Sequence, residues 1–204
     1  MMKRPREFAQ DYVESLKTVL DRLPGEAIDQ VVQVLEEAYR RHSHVFVIGN
    51  GGSAATASHM MNDLCKGTVG HKGDAPWARF RVVALTDNVA LMTAWANDTD
   101  YKQVFSEPLK TLAQRGDVLV AISASGNSPN IIAAVEAAKQ MGVKVVGLAG
   151  FGGGQLGKMA DIAFVVPSNE YGPVEDVHMI LDHIITGYLY EKLTEENRQG
   201  LQER

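Results

Sequence analysis

The chain has 204 residues, 45% of them hydrophobic and 22% charged, with a formal net charge of −5. That is the balance of an ordinary globular domain, and with no basic run it argues against a protein that binds nucleic acid by neutralising phosphates. No apolar segment approaches a membrane span, Met1-Met-Lys-Arg-Pro5 leads into polar residues instead of a signal-peptide core, and the single cysteine, Cys65, excludes an internal disulfide, so a cytoplasmic protein is expected, with Cys65 as a buried core thiol.

Phe8 to Leu23 has its apolar residues near helical period and is stopped by Pro24-Gly25; Glu26 to Arg41 is a second amphipathic helix with cations at its C-terminal end. Residues 1–42 are thus a helical hairpin that must bury its stripe on the sheet or on another subunit. Val45 to Ile48 is a short apolar run of the kind buried on both faces of a sheet. Gly49-Asn50-Gly51-Gly52 breaks it, and Ser53 reads as the N-cap of a helix carrying His59, Asp63 and Cys65. Strand, glycine turn and helix start aim free N–H groups at a ligand, yet the spacing is neither GxGxxG nor GxxxxGK[ST], which sets aside dinucleotides and ATP.

Gly67 to Ala78 reads as a loop, with Lys66, Lys72, Arg79 and Arg81 loosely clustered in and around it as solvated charge, and Trp77 as a loop anchor. Arg81 to Leu85 is a second strand, Asn88 to Trp95 a short helix with Trp95 as a core anchor, and Tyr101 to Gln114 a helical stretch offset near Pro108. Asp117 to Ile122 is a third strand running into Ser123-Ala124-Ser125-Gly126-Asn127-Ser128, with Pro129 in the first turn of the next helix. Three hydroxyls in six residues at a helix start make a cradle for a phosphate dianion without Lys or Arg. Val143 to Leu148 and Ile162 to Val166 are further strands, separated by a glycine-rich turn and a short helix; a last long helix runs from Pro173 or Val174 to about Leu193, ahead of a polar tail. Strands alternating with helices predict an α/β fold with a mostly parallel five-stranded sheet, helices on both faces and a ligand site at the carboxyl ends of the strands.

His59 and Asp63 stand four apart on one helix, and Glu175 and His183 eight apart on another, so each pair shares a face; together they offer N and O donors for zinc, although His-x-x-x-Asp is also a common surface ion pair. On the last helix His178 and Asp182, with Asp176, read as a solvated or interface face. Glu170 and Tyr171 stand where they would border the pocket.

Gly49-Asn-Gly-Gly-Ser53 with His59 downstream, Ala96-Asn97-Asp98, and Ile122-Ser-Ala-Ser-Gly-Asn-Ser128 resemble the sugar isomerase (SIS) family, and within it the phosphoheptose isomerases, from about Leu35 to Leu193. The resemblance implies a flavodoxin-like three-layer sandwich over residues 43–194, with residues 195–204 as tail, and a cytoplasmic homotetramer with the hairpin at the interface. It also implies interconversion of sedoheptulose 7-phosphate and D-glycero-D-manno-heptose 7-phosphate, the first step of heptose precursor biosynthesis. Zinc would lie on His59, Asp63, Glu175 and His183, with Asp63 and His183 catalytic. Asn50, Gly51, Gly52, Ser53, Asn97, Asp98, Asp63 and Glu175 would hold the sugar, and Ser123, Ala124, Ser125, Asn127 and Ser128 the phosphate end. Two positions depart from the family: Asp63 stands where it has Glu, and Glu175 where it has Gln. The alternatives are an isomerase for another sugar phosphate, a non-catalytic tetramer that partners the bacterial replication initiator, and a sugar-phosphate sensor; the retained Asp63, Glu175 and His183 favour chemistry.

Overall fold

The computed structural model describes residues 3–69 and 78–202, with side chains through Glu196. Lys72 and Trp77 therefore lie outside the described residues. In chain order the elements are α1 Pro5–Leu20, α2 Gly25–Arg41, β1 His44–Ile48, α3 Gly52–Lys66, β2 Arg81–Ala84, α4 Val89–Asp98, α5 Ser106–Leu112, β3 Val118–Ser123, α6 Pro129–Met141, β4 Lys144–Ala149, α7 Gly154–Met159, β5 Ile162–Val165 and α8 Tyr171–Gln202. One-turn 3-10 helices occupy Gly67–Val69, Tyr101–Gln103 and Phe151–Gly153. The helix expected over Tyr101–Gln114 is thus two pieces. The helix expected to end near Leu193 continues through Gln202, into the segment read as tail.

All five strands are parallel, in the order β2-β1-β3-β4-β5, the doubly wound arrangement predicted. The pleat sends alternate side chains to two cores. Val45, Val47, Val118, Val120 and Ile122 face α2, α3 and α8; Phe46, Ile48, Leu119 and Ala121 face α5 and α6. Every residue of β3 is buried, which is why it reads as an unbroken apolar run.

The N-terminal hairpin divides its duties. Val31, Leu35 and Ala38 of α2 are buried in the first core, and Tyr39 packs on Phe80 with ring centroids 5.0 Å apart. In α1 only Val19 is buried; Phe8 and Val13 are exposed. Its Tyr12 hydroxyl donates to Asp176 Oδ2 at 2.6 Å, fastening α1 to the start of α8 and pushing the phenol up to about 12, because that hydrogen bond would be lost on ionisation.

Three core assignments are corrected. Trp95 is only half-buried, on α4, a helix that buries none of its residues. Cys65 is likewise half-buried, against the first core. His178 and Asp182 are not a solvated face: they are 1% and 0% exposed.

The turns at the carboxyl ends of β1, β3 and β4 interlock. Gly150 donates its N–H to the Ala124 carbonyl at 2.8 Å, and Leu156 to the Gly126 carbonyl at 2.9 Å. Asn50 after β1 bonds to Asn130 after β3, so three loops from three adjacent strands form one rim.

Candidate active site

The first loop turns on Gly51, whose φ of 53° with ψ of −120° is open to glycine alone. Gly51, not Ser53, is the N-cap of α3; Ser53 lies inside the first turn, buried, and makes no side-chain cap. Gly52, the first helical residue, is tied to glycine by close approach: a Cβ there would sit 2.7 Å from Glu175 Oε2 and 3.0 Å from its Cδ. The Glu175 carboxylate therefore lies on the N-terminal end of α3, where the helix dipole favours an anion.

That contact is the first of a ladder. Gly52 meets Glu175, His59 meets His183, and Gly67 meets Thr186, in the same order along both helices. Helices α3 and α8 therefore run side by side in parallel, and their facing side chains line one seam that descends from the loops.

Two turns down this seam the chain gathers three metal-ligating groups. His59 Nε2 and His183 Nε2 are 3.1 Å apart, and Asp63 Oδ2 lies 3.3 Å from the first and 3.9 Å from the second. A tetrahedral zinc with ligands about 2.0–2.1 Å away would space its donors about 3.3–3.4 Å apart, so two imidazoles and a carboxylate at these separations suit such an ion in type and in spacing. All three ligand atoms lie within 4.8 Å of one another. Glu175, the expected fourth ligand, is not brought into this cluster. Eight residues of helix put Glu175 about 12 Å along α8 from His183, which carries its carboxylate to Gly52. The two histidines are the accessible members, with side chains 40% and 56% exposed, whereas Asp63 is 18% exposed.

Behind the cluster α8 presents a buried polar column, His178, Asp182 and Thr186, one turn apart. Neither the His178 ring nitrogens nor the Asp182 carboxylate oxygens have a hydrogen-bond partner of ordinary geometry among the described residues. Burial pushes His178 down to about 4, only partly opposed by the Ala149 carbonyl. Burial, with the Asp63 charge adding to it, pushes Asp182 up to about 7. Polar residues at helical spacing read as an exposed face; the packing of α8 against the sheet and α3 buries them.

The serine loop is built as a cradle. Ser128 precedes α6 without capping it, and its hydroxyl lies 3.3 Å from that of Ser123 at the end of β3. Ser123 and Ala124 are buried, and Ser125 is half-buried. Asn127 has another task than the one expected: its Nδ2 donates to the Ser125 carbonyl at 2.8 Å and its Oδ1 accepts the Gln155 N–H at 3.1 Å, so it pins the loop to α7.

The remaining predicted residues separate. Asn50 is held by its neighbours: its Oδ1 accepts from Asn130 Nδ2 at 2.8 Å and from the Tyr101 hydroxyl at 3.2 Å, and its Nδ2 donates to Asn130 Oδ1 at 2.9 Å. Asn97 donates to Asp98 at 2.8 Å at the exposed end of α4, and neither is brought to the histidine cluster. Glu170 and Tyr171 are exposed at the start of α8, Tyr171 against Phe151 with ring centroids 4.8 Å apart. Asn130 and Tyr101 are structural parts of the site that residue type alone did not single out.

A parallel doubly wound sheet with a serine cradle at its carboxyl edge and a glycine loop beside it is the architecture of sugar-phosphate isomerase domains. Residues 7–150 match the SIS domain family, and the chain belongs to that family. It is 34% identical over 188 residues to the phosphoheptose isomerase of Rhodospirillum rubrum, covering 92% of this chain and 96% of that one. It is 39% identical over 167 residues to the phosphoheptose isomerase of Sulfurimonas denitrificans, covering 81% and 83%. Among solved structures, the phosphoheptose isomerase of Neisseria gonorrhoeae superposes with a TM-score of 0.81 at 30% identity, covering 90% of this chain and 97% of that one. Within the SIS family the chain is thus a member of the phosphoheptose isomerases.

Proposed function

We propose that this enzyme interconverts sedoheptulose 7-phosphate and D-glycero-D-manno-heptose 7-phosphate through an enediol. The observation that carries this reading is the convergence of His59, Asp63 and His183 in the seam directly below the glycine and serine loops. Kinship with phosphoheptose isomerases supports the choice of substrate.

In this reading the phosphate rests on Ser123, Ala124, Ser125 and Ser128, whose hydroxyls and N–H groups stabilise a dianion without a counter-cation. The open chain passes the glycine loop, where the backbone N–H groups of Gly51 and Gly52 and the Glu175 carboxylate hold hydroxyls, and ends at the cluster. Asp63 takes the proton from C1 of the ketose and returns it to C2 of the enediol, while His183 moves a proton from O1 to O2, so the carbonyl passes from C2 to C1.

His59, Asp63 and His183 are the residues that would hold zinc. When bound, such an ion supplies electrostatic stabilisation of negative charge on the substrate's oxygens. The short Asp63 side chain lies against both histidines, and the carboxylate at 175 is free for the sugar. A homotetrameric assembly and a cytoplasmic location belong to the same proposal; exposed Phe8, Val13 and the unburied α4 support an assembly. Among the described residues no helix is long and apolar enough to cross a membrane.

The test is turnover of sedoheptulose 7-phosphate by purified, zinc-replete protein and by Asp63→Ala and His183→Ala. The reading requires turnover by the parent and its loss in both variants with the circular dichroism spectrum retained. An inactive parent, or active variants, would refute it.

A further inference from the structure

The glycine loop and the serine loop come from different strands, and one pair of side chains joins them. Asn50 and Asn130, 80 residues apart, exchange two amide hydrogen bonds, Asn50 Nδ2 to Asn130 Oδ1 at 2.9 Å and Asn130 Nδ2 to Asn50 Oδ1 at 2.8 Å. The orientation is fixed by a third bond. The Ile131 backbone N–H donates to Asn130 Oδ1 at 3.0 Å, and a backbone N–H can only donate. Asn130 must therefore turn its NH₂ toward Asn50, whose facing atom must be the carbonyl oxygen. The Tyr101 hydroxyl then closes on that same Oδ1 at 3.2 Å from the opposite side.

Asn130 is 2% exposed, and both of its amide atoms are engaged within the protein. It opens the helix that the serine loop launches, two residues after Ser128. Asn50 sits in the glycine loop, one residue before Gly51. A doubly reciprocal amide pair between the two loops, half-buried at Asn50 and buried at Asn130, fixes their separation, since either loop can shift only by leaving the buried Asn130 amide without its partner.

We infer that Asn130, acting through Asn50 and backed by Tyr101, is a positioning residue that sets the spacing between the phosphate cradle and the loop leading to the proton-transfer groups. This rests on the proposed function for its catalytic consequence, though not for the clamp itself. Asn130 touches neither end of the substrate. Its loss leaves the phosphate grip in place and misaligns the carbon end.

The experiment uses Asn130→Asp, which keeps the acceptor for Ile131 and replaces the donor to Asn50 with an oxygen. In the unliganded protein, amide hydrogen exchange over residues 49–53 speeds up by about tenfold or more, and exchange over residues 123–128 changes far less. With sedoheptulose 7-phosphate, kcat falls by about tenfold or more while KM stays within about twofold. In a cycle of Asn50→Ala, Asn130→Ala and the double variant, the double is no worse than the worse single. Tyr101→Phe, at a half-exposed position where the fold is not at stake, gives a smaller change of the same kind. Unchanged exchange over residues 49–53 in Asn130→Asp and Tyr101→Phe overturns the clamp, as do effects that multiply in the double variant or a rise in KM at constant kcat. A parent that fails to turn over sedoheptulose 7-phosphate overturns the proposed function instead, and the exchange measurement still decides the clamp.

Discussion

His59 and His183 face each other across the seam between α3 and α8 with their Nε2 atoms 3.1 Å apart. Two imidazoles whose ring nitrogens meet, with the Asp63 carboxylate 3.3 Å from one of them, are spaced for a chelate. Zinc added to metal-free protein should raise its thermal midpoint by the mass-action term, about 2.7 kcal/mol at a free concentration a hundredfold above Kd. His59→Ala and His183→Ala should abolish the shift, and Glu175→Gln should leave it intact. Differential scanning calorimetry with and without zinc checks all three; loss of the shift in Glu175→Gln would restore Glu175 as a ligand.

In the proposed mechanism Asp63 is the base. Asp63→Asn keeps the shape and removes the base, so kcat should fall by about a hundredfold or more, in line with the usual contribution of a positioned base. Steady-state kinetics at saturating substrate make the measurement.

At Gly52 a methyl would fall 2.7 Å from Glu175 Oε2, the mobile end of a side chain. Gly52→Ala should therefore leave stability unchanged or raise it by up to about 1 kcal/mol through helix propensity, while displacing the carboxylate. Its kcat/KM should fall to that of Glu175→Ala, with the double variant no worse than either single. Urea unfolding and kinetics on the same three variants separate the two effects.

The buried column makes two opposed contributions to stability against pH. His178, held down at about 4, binds its proton more readily when unfolded, so its share of stability is present above about pH 6.5 and is lost as pH falls toward 4. Asp182, pushed up to about 7, is bound by a proton more readily when folded, so its share is present below about pH 4 and is lost as pH rises through 7. Asp182→Asn should accordingly gain most over the parent above pH 7 and little below pH 4. Urea midpoints at pH 4, 6 and 8 report the sign; a gain that is equal at all three would place the ionisation elsewhere.

The α/β order was legible because each central strand is a short apolar run ended by glycine or small polar residues, a pattern that burial on both faces imposes. The serine cradle was legible because its three hydroxyls fall within six residues of sequence. Other parts depend on the meeting of elements distant along the chain. His178 and Asp182 carry the pattern of a wet helix face until the sheet and α3 cover them. Glu175 shares a helix face with His183, but the helix rise carries it to Gly52 instead of the metal-ligating cluster. Asn130 reads as a residue in a first helical turn, and only the approach of β1 to β3 brings Asn50 to it. Asn127 reads as a ligand group by its place in the loop, whereas its amide nitrogen is taken up by the Ser125 carbonyl and its amide oxygen by Gln155 in the turn after β4.

The central claim is that Asp63 and His183 move a proton between C1 and C2 of a seven-carbon sugar phosphate. Turning over sedoheptulose 7-phosphate in D2O and reading the aldose product by NMR tests it most directly, because the proton that Asp63 takes from C1 lies beside the solvent-open His59 and His183 and exchanges through them before it is returned to C2. The account predicts aldose carrying deuterium at C2, and no such product from Asp63→Asn. Aldose formed with no deuterium at C2, or no aldose at all, would contradict it.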